Sequence, residues 1–375
     1  MGEPPQLFQA LHGLYRFRGT QAQLRIASEL SQQLFQLAHR QHDTVLLREG
    51  HMAKGSVAFY RSELVTARAH MEQGLHLCDT QCPPTPLFSG GHDRRVMTLA
   101  ELTQVLWALG YADQAQQRSQ EALAQAQQVG HPPSLVYAEL YAAILSQCCR
   151  DVAAVQAHAD AMMVLAAAQG LGHRIEHGRI LRGWALAMQG DAATGVAHIQ
   201  QGLVAVQSMG LKLYRPYFLY LLAEAYGQAG QPEAGLTVLA EALTLVATTE
   251  ERWWEAELYR LRGELLLHAE CGVRHTAWTP AECFRQAIEV ARRQQARSLE
   301  LRAALHLSRL WQQQGKRDNA LQLLVEIFGW FTEGFATPDL QEAQGLLGAL
   351  TGELPNIPGT IGAQRTVALG QIVPA

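Results

Sequence analysis

The sequence predicts an all-α fold: a right-handed α-α superhelix of about eight helix hairpins with a period near 40 residues. Three observations carry this expectation. A Gly or polar residue interrupts the chain at regular intervals, at Gly19, Tyr60, Gly110, Arg150, Gly190, Gly230, near Cys271 and at Gly315, and the steps from Gly110 to Gly230 are 40 residues each. Apolar residues recur at helical spacing on both sides of every break, and almost nothing alternates with the period of two that a strand needs. Small residues stand where two helices must touch, as in LLAEAYGQAGQPEAGLTVLAEAL, residues 221–243.

The elements follow in order. Each break stops one helix and frees the next, because Gly suits the left-handed residue that ends a helix and Pro suits the first turn. Four or five places after a break comes a small or aliphatic residue: Ala115, Val155, Gly195, Ala234 and Ala320. A helix packed on its hairpin partner and on the next hairpin needs axes about 8–10 Å apart. Ala143, Gly183, Ala223, Ala234, Gly263 and Ser308 permit that approach. Two steps are longer and hold insertions, CDTQCPPTPLFSGGHDRR at 78–95 and CGVRHTAWTP at 271–280. Thr279-Pro280-Ala281-Glu282 reads as a capping box opening the helix CFRQAIEVARRQ. Thr337-Pro338-Asp339 opens a last helix, LQEAQGLLGAL. The superhelix is expected to span 1–353. Residues 354–375, with prolines near their start and no helical period, are expected to form an irregular or mobile tail.

Composition narrows the function. Of 375 residues 48% are hydrophobic and 17% charged, with a net charge of -4. There is no general basic field for nucleic acid, and no apolar run approaches the roughly 18 residues of a membrane span. The start, MGEPPQLFQALHGLYRFRG, lacks the charged, apolar and small-residue regions of a signal peptide. Six cysteines show no paired framework, which fits a reduced, cytoplasmic protein.

Leu219, Leu222-Ala223, Tyr226, Gly230, Ala234 and Ala242 resemble the tetratricopeptide repeat, with a longer period than its roughly 34 residues. ILRGWALAMQG (180–190), the stretch 215–243, EAELYRLRGELLL (255–267), 284–324 and GWFTEGFATPDLQEAQGLL (329–347) are similar to the C-terminal repeat region of bacterial multidomain signalling proteins. In that family a class III nucleotide cyclase domain and a signal-transduction ATPase precede the repeats. The resemblance runs from about Gln6 to Leu350. It implies a regulatory module whose partner is a protein or peptide, or its own upstream ATPase and cyclase domains. The catalytic parts are not in this sequence. The nearest fragment to a phosphate loop, Gly315-Lys316-Arg317, has Arg where a Mg²⁺-binding hydroxyl belongs. The chain therefore reads as non-catalytic and without a cofactor, either a repeat-only relative or a piece of a longer protein.

Several residue groups invite a sharper reading. His173-Arg174-Ile175-Glu176-His177 matches the HxxEH arrangement of inverted zinc peptidases, so a zinc hydrolase using His173, Glu176 and His177 is one alternative. The repeat frame runs straight through that motif, and a polar first helical turn explains it as well. His268, Cys271, His275 and Cys283 could ligate zinc, and Cys78 with Cys82 could form a redox pair, although buried small thiols are ordinary in helix packing. Arg285, Arg292, Arg293 and Arg297 alternate with Glu282, Glu289 and Glu300, the pattern of a solvated helix face. Of Trp253 and Trp254, adjacent on one helix, one is expected in the core and the other as an anchor to a neighbour or a partner.

The first helices of the hairpins are expected to line a concave face. The repeat frame turns His177, Trp184, Tyr217, Tyr220, Glu224, Glu257, Arg260, Glu264, Arg302 and Arg309 inward. Arg and Tyr suit a recognition groove, and they equally suit pairing across adjacent helices, Glu257 to Arg302 for example. The expected function is partner or effector capture along that face. A small-molecule sensor of a sugar or nucleotide is the alternative, as the resemblance to solenoid sugar-sensing transcription activators allows.

Overall fold

The computed structural model describes residues 5–80, 92–269 and 278–352. The insertions at 78–95 and 271–280 fall largely outside these residues, as does the tail. The described residues hold seventeen α-helices and no strand. Sixteen pair into eight hairpins: α1 (Pro5–Thr20) with α2 (Leu24–Gln41), α3 (Thr44–Tyr60) with α4 (Leu64–Thr80), α5 (Arg94–Ala108) with α6 (Ala112–Val129), α7 (Pro132–Cys148) with α8 (Val152–Ala168), α9 (Gly172–Met188) with α10 (Ala192–Ser208), α11 (Arg215–Gln228) with α12 (Pro232–Thr249), α13 (Glu255–His268) with α14 (Pro280–Gln294), and α15 (Arg297–Gln313) with α16 (Arg317–Phe328). A last helix, α17 (Pro338–Thr351), closes the array. The fold is an all-α repeat superhelix.

Local chemistry sets the boundaries. Asp43, Asp93, Asp151 and Asp191 cap α3, α5, α8 and α10 through their carboxylates, and the Thr279–Glu282 capping box opens α14. Each replaces a hydrogen bond that the first helical turn cannot make internally. Inside the hairpins the chain reverses through one left-handed residue, at Ala22, Ser62, Gly110, Arg150, Gly190, Gly230 and Gly315. The first two breaks thus fall on Ala22 and Ser62, since Gly19 and Tyr60 are still helical. A helix must finish before its left-handed residue can turn the chain, and this correction gives the first step the same 40 residues as the later ones.

Small residues let the helices close. A Cβ at Gly183 would lie 2.8 Å from the Gly195 carbonyl oxygen, and one at Gly195 would lie 2.5 Å from that of Gly183. In the next hairpin the corresponding contact falls on Gly235, whose added Cβ would lie 3.0 Å from the Ala223 carbonyl oxygen, and not on Ala234, which is half-buried. The first helices α5, α7 and α11 are buried on nearly every side, whereas α6 buries only Ala115, Ser119, Ala122 and Ala126. That stripe repeats every three or four residues, one face of a surface helix. First helices are therefore inside and second helices outside.

The superhelix closes on itself after one turn. The Thr20 carbonyl accepts from the backbone N–H groups of Lys212 and Leu213, and the Tyr60 carbonyl accepts from that of Arg252. The Ser298 hydroxyl donates to the Trp107 carbonyl, and Arg150 pairs with Glu342. Such inter-turn pairs are separated by 189 to 193 residues. The reversal inside each of the first four hairpins thus meets a segment near the start of a first helix one turn later. Trp253 and Trp254 serve this closure together, and both are buried. Trp253 packs on Phe59 with ring centroids 5.3 Å apart, and Trp254 stacks on Trp107 at 6.1 Å. They can face the same way because both precede α13 and escape its helical geometry.

Candidate functional site

Of the ten residues expected to line the concave face, most are already paired within the chain. The Trp184 indole donates to Glu224 at 2.7 Å. Arg260 donates to Glu257 at 3.0 Å, to Glu264 at 2.6 Å and to the Tyr220 hydroxyl at 3.1 Å. Arg302 lies 3.7 Å from Glu257 and 2.7 Å from Asp339, and it also donates to the Cys148 carbonyl. Arg309 pairs with Glu342. Tyr217 is fully buried between Trp253 and Trp254. Arg260 holds its proton more tightly than usual: burial works against its charge, and Glu257, Tyr220, Glu264 and Glu224 together outweigh it. Burial raises the pKa of Glu224. Glu224, Glu264 and Arg309 keep partial exposure, whereas Tyr217, Tyr220, Glu257, Arg260 and Arg302 do not.

His177 belongs elsewhere. With His173 and Arg174 it lines a cavity of about 180 Å³ between the two turns. α9 supplies these three residues, and the connector before α11 supplies Leu211, Leu213 and Tyr214. The opposite walls come from α1, with Tyr15 and Arg16, from α3, with Met52, Ser56 and Tyr60, and from α5, with Arg94 and Glu101. Tyr137 of α7 completes them. Tyr60 and Tyr214, which line the cavity, meet Tyr141 behind them: the three hydroxyls lie 2.8 Å from one another.

Electrostatics in the cavity follow from burial. Glu49 accepts from Arg94 at 2.7 Å and from Arg48 at 3.2 Å; although burial opposes its charge, these arginines hold its carboxyl below the usual range. Glu101 accepts from the Tyr137 hydroxyl at 2.6 Å and the Ser56 hydroxyl at 3.1 Å, and burial raises its pKa. Burial, with Arg174 adding to it, holds His92 at about 3 and His173 at about 4, and His177 well below 6.5.

The HxxEH residues separate on this geometry. The rings of His173 and His177 meet edge to face with centroids 6.0 Å apart, and Glu176 instead accepts from Arg179 at 2.9 Å. Among the described residues no group of three or more His, Cys, Asp or Glu is placed to hold a metal ion. Cys283 is buried, whereas Cys82, Cys271 and His275 lie outside the described residues. In the basic segment, Arg292 and Arg297 both pair with Glu300. No described helix is long and apolar enough to cross a membrane. Sequence reasoning singled out His173 and His177 but missed Arg16, Arg94, Glu101 and Tyr137. Arg16, Arg94 and Glu101 lie in the first three hairpins, and closure of the superhelical turn brings them opposite α9, while Tyr137 stands beside α9 on α7.

No family model matches the chain. An uncharacterized protein of Rhizobium meliloti (strain 1021) is 29% identical over 218 residues, which make up 57% of this chain and 20% of that protein. The chain thus spans about a fifth of that relative's length. Among solved structures, a Rap protein complexed with competence and sporulation factor is 12% identical, with a TM-score of 0.55 over 81% of this chain and 80% of that one. A signal-transduction ATPase with a tetratricopeptide repeat sensor, from Pyrococcus horikoshii, is 11% identical, with a TM-score of 0.44 over 88% of this chain and 50% of that one. At these identities the likeness is one of fold alone, carried by the Rap protein.

Proposed function

We propose that the chain is a non-catalytic regulatory module that takes up an effector in the inter-turn cavity and passes its occupancy to a protein partner. One observation carries this reading: the cavity is walled by both turns, by α1, α3 and α5 on one side and by α9 with the connector at 211–214 on the other. A ligand touching both walls binds the closed superhelix better than a loosened one, and so shifts the balance between them. Effector uptake is favoured over capture along the whole inner face because the inner Tyr220, Arg260 and Arg302 are buried and already paired, Tyr220 with Arg260 and Arg302 with Glu257 and Asp339. Glu224, Glu264 and Arg309, with partial exposure, are the inner residues a partner would touch. The solved Rap complex, with a bound factor on a similar fold, supports the reading by analogy of fold alone. In a longer protein the same shift would bias neighbouring ATPase or cyclase domains.

The test is amide hydrogen exchange during a metabolite screen by thermal shift. An effector should raise the melting temperature and slow exchange at Lys212 and Leu213, whose N–H groups bridge the turns. Stabilising compounds that leave those amides unchanged would count against the proposal.

A further inference from the structure

We infer that the inter-turn cavity takes a small, flat organic monoanion, a carboxylate on a body about the size of a benzene ring, with Arg174 as its counter-ion. This rests on reading the cavity as the effector site.

Arg174 is the anomaly that carries the inference. It is only 8% exposed, yet among the described residues no carboxylate lies within ion-pair distance of it. The other buried arginines differ: Arg48 has Glu49, Arg260 has Glu257 and Arg302 has Asp339. The Arg174 Nε has no hydrogen-bond partner. Its Nη1 meets only the Nδ1 of His177, at 3.4 Å, and its guanidinium lies over the Tyr137 ring, 5.1 Å from the centroid. The Nε2 of His177 and the Nδ1 of His92 are also buried without a partner.

The carboxylates lining or flanking the cavity are already engaged. Glu49 is shared by Arg94 and Arg48, and Glu101 accepts from Tyr137 and Ser56. Arg16 and Arg94 add positive charge on the facing wall. A buried cation without a counter-ion is costly, and a carboxylate that reaches it recovers that cost through the planar guanidinium fork. The histidines fit the same ligand, since a neutral imidazole offers one N–H to a carboxylate.

The rest of the ligand follows from the walls. Tyr15, Tyr137, Tyr214, Met52 and Leu213 present rings and apolar surface. The volume of about 180 Å³ slightly exceeds the roughly 150 Å³ of an apolar protein cavity that holds benzene. One unpaired arginine and largely apolar walls favour a monoanion over a phosphate dianion.

The probes are benzoate, its uncharged isostere benzamide, and inorganic phosphate, titrated calorimetrically into the full chain. Benzoate should bind at least about tenfold more tightly than the other two, a difference of about 1.4 kcal/mol. Arg174→Gln should weaken benzoate by at least as much while raising the melting temperature of the ligand-free protein, because it removes the uncompensated charge. If that variant does not fold, Arg174→Lys decides: it keeps the charge, so benzoate must still bind better than benzamide. Equal binding of benzoate and benzamide, benzoate binding that survives Arg174→Gln, no benzoate binding, or tighter binding of phosphate would each overturn the proposal. A neutral compound that slows exchange at Lys212 and Leu213 where benzoate does not would overturn the ligand class and leave the effector reading standing.

Discussion

The hydroxyl of Tyr60 lies 2.8 Å from that of Tyr214, a residue 154 positions further along the chain. Tyr141 contacts both, so three buried hydroxyls from α3, α7 and the connector before α11 satisfy one another. Burial raises the pKa of all three, so they stay protonated. Tyr214→Phe removes one hydroxyl and leaves the other two short of a partner. The expected loss is about 1–3 kcal/mol in urea unfolding. A double-mutant cycle with Tyr60→Phe should show coupling well beyond about 0.5 kcal/mol; additive losses would mean that the hydroxyls do not act as a unit.

Glu251 makes closure of the turns sensitive to alkali. Its Oε1 accepts from the Tyr214 backbone N–H at 2.9 Å and from the Trp253 indole at 3.2 Å, and burial pushes its pKa up to about 8. The folded protein therefore keeps a proton that the unfolded chain loses near 4.5. This contribution is complete below about pH 4.5 and is lost as pH rises towards 8. Glu251→Gln keeps an accepting oxygen and removes the titration. Melting temperatures from pH 5 to 9 should fall less steeply for the variant than for the parent.

The histidines act in the opposite direction. Burial, aided by Arg94, holds His12 at about 4, and His92 and His173 are held at about 3 and about 4. Unfolded histidines gain protons near 6.5, so their contribution is complete above that pH and is lost as pH falls towards 4. Urea midpoints should therefore drop between pH 6.5 and 4.5. His12→Gln and His92→Gln should each flatten the slope, and an unchanged slope in both would contradict this account.

Gly183 and Gly195 test the close approach of α9 and α10. Gly195→Ala should cost about 1–3 kcal/mol, because its methyl group meets backbone that cannot move aside. Gly345 in α17 is exposed, with nothing within 4 Å of an added Cβ. Gly345→Ala should stabilise the protein by about 0.5–1 kcal/mol through helix propensity alone. Thermal unfolding of the two variants should shift in opposite directions.

Most of the fold was legible because it is local. Breaks, caps and small contact residues act within one hairpin, and the repeat copies them along the chain. Tyr60 shows the limit: it reads as a helix break, while its hydroxyl and carbonyl bind the next turn. Trp253 and Trp254 were expected to point apart because the helix was taken to begin before them. Of the cavity, the sequence pointed to His173 and His177 through an unrelated motif. Arg174 lay inside the same motif, and its missing counter-ion is visible only once the opposite walls are in place.

Matched insertions follow from the inter-turn pairing. The pair Gln21–Gly210 spans the stretch at 78–95 and is 189 residues apart, while the pair Trp107–Ser298 spans the stretch at 271–280 and is 191 apart. The extra length at 78–95 is thus nearly balanced by the extra length at 271–280, and the two windings stay in phase. Lengthening 78–95 alone would widen the separation of pairs that span it, such as Gln21–Gly210, and leave that of Trp107–Ser298 and Arg150–Glu342 unchanged. Homologous chains should therefore vary the two stretches together, as a screw thread keeps its pitch only when both flanks are cut alike.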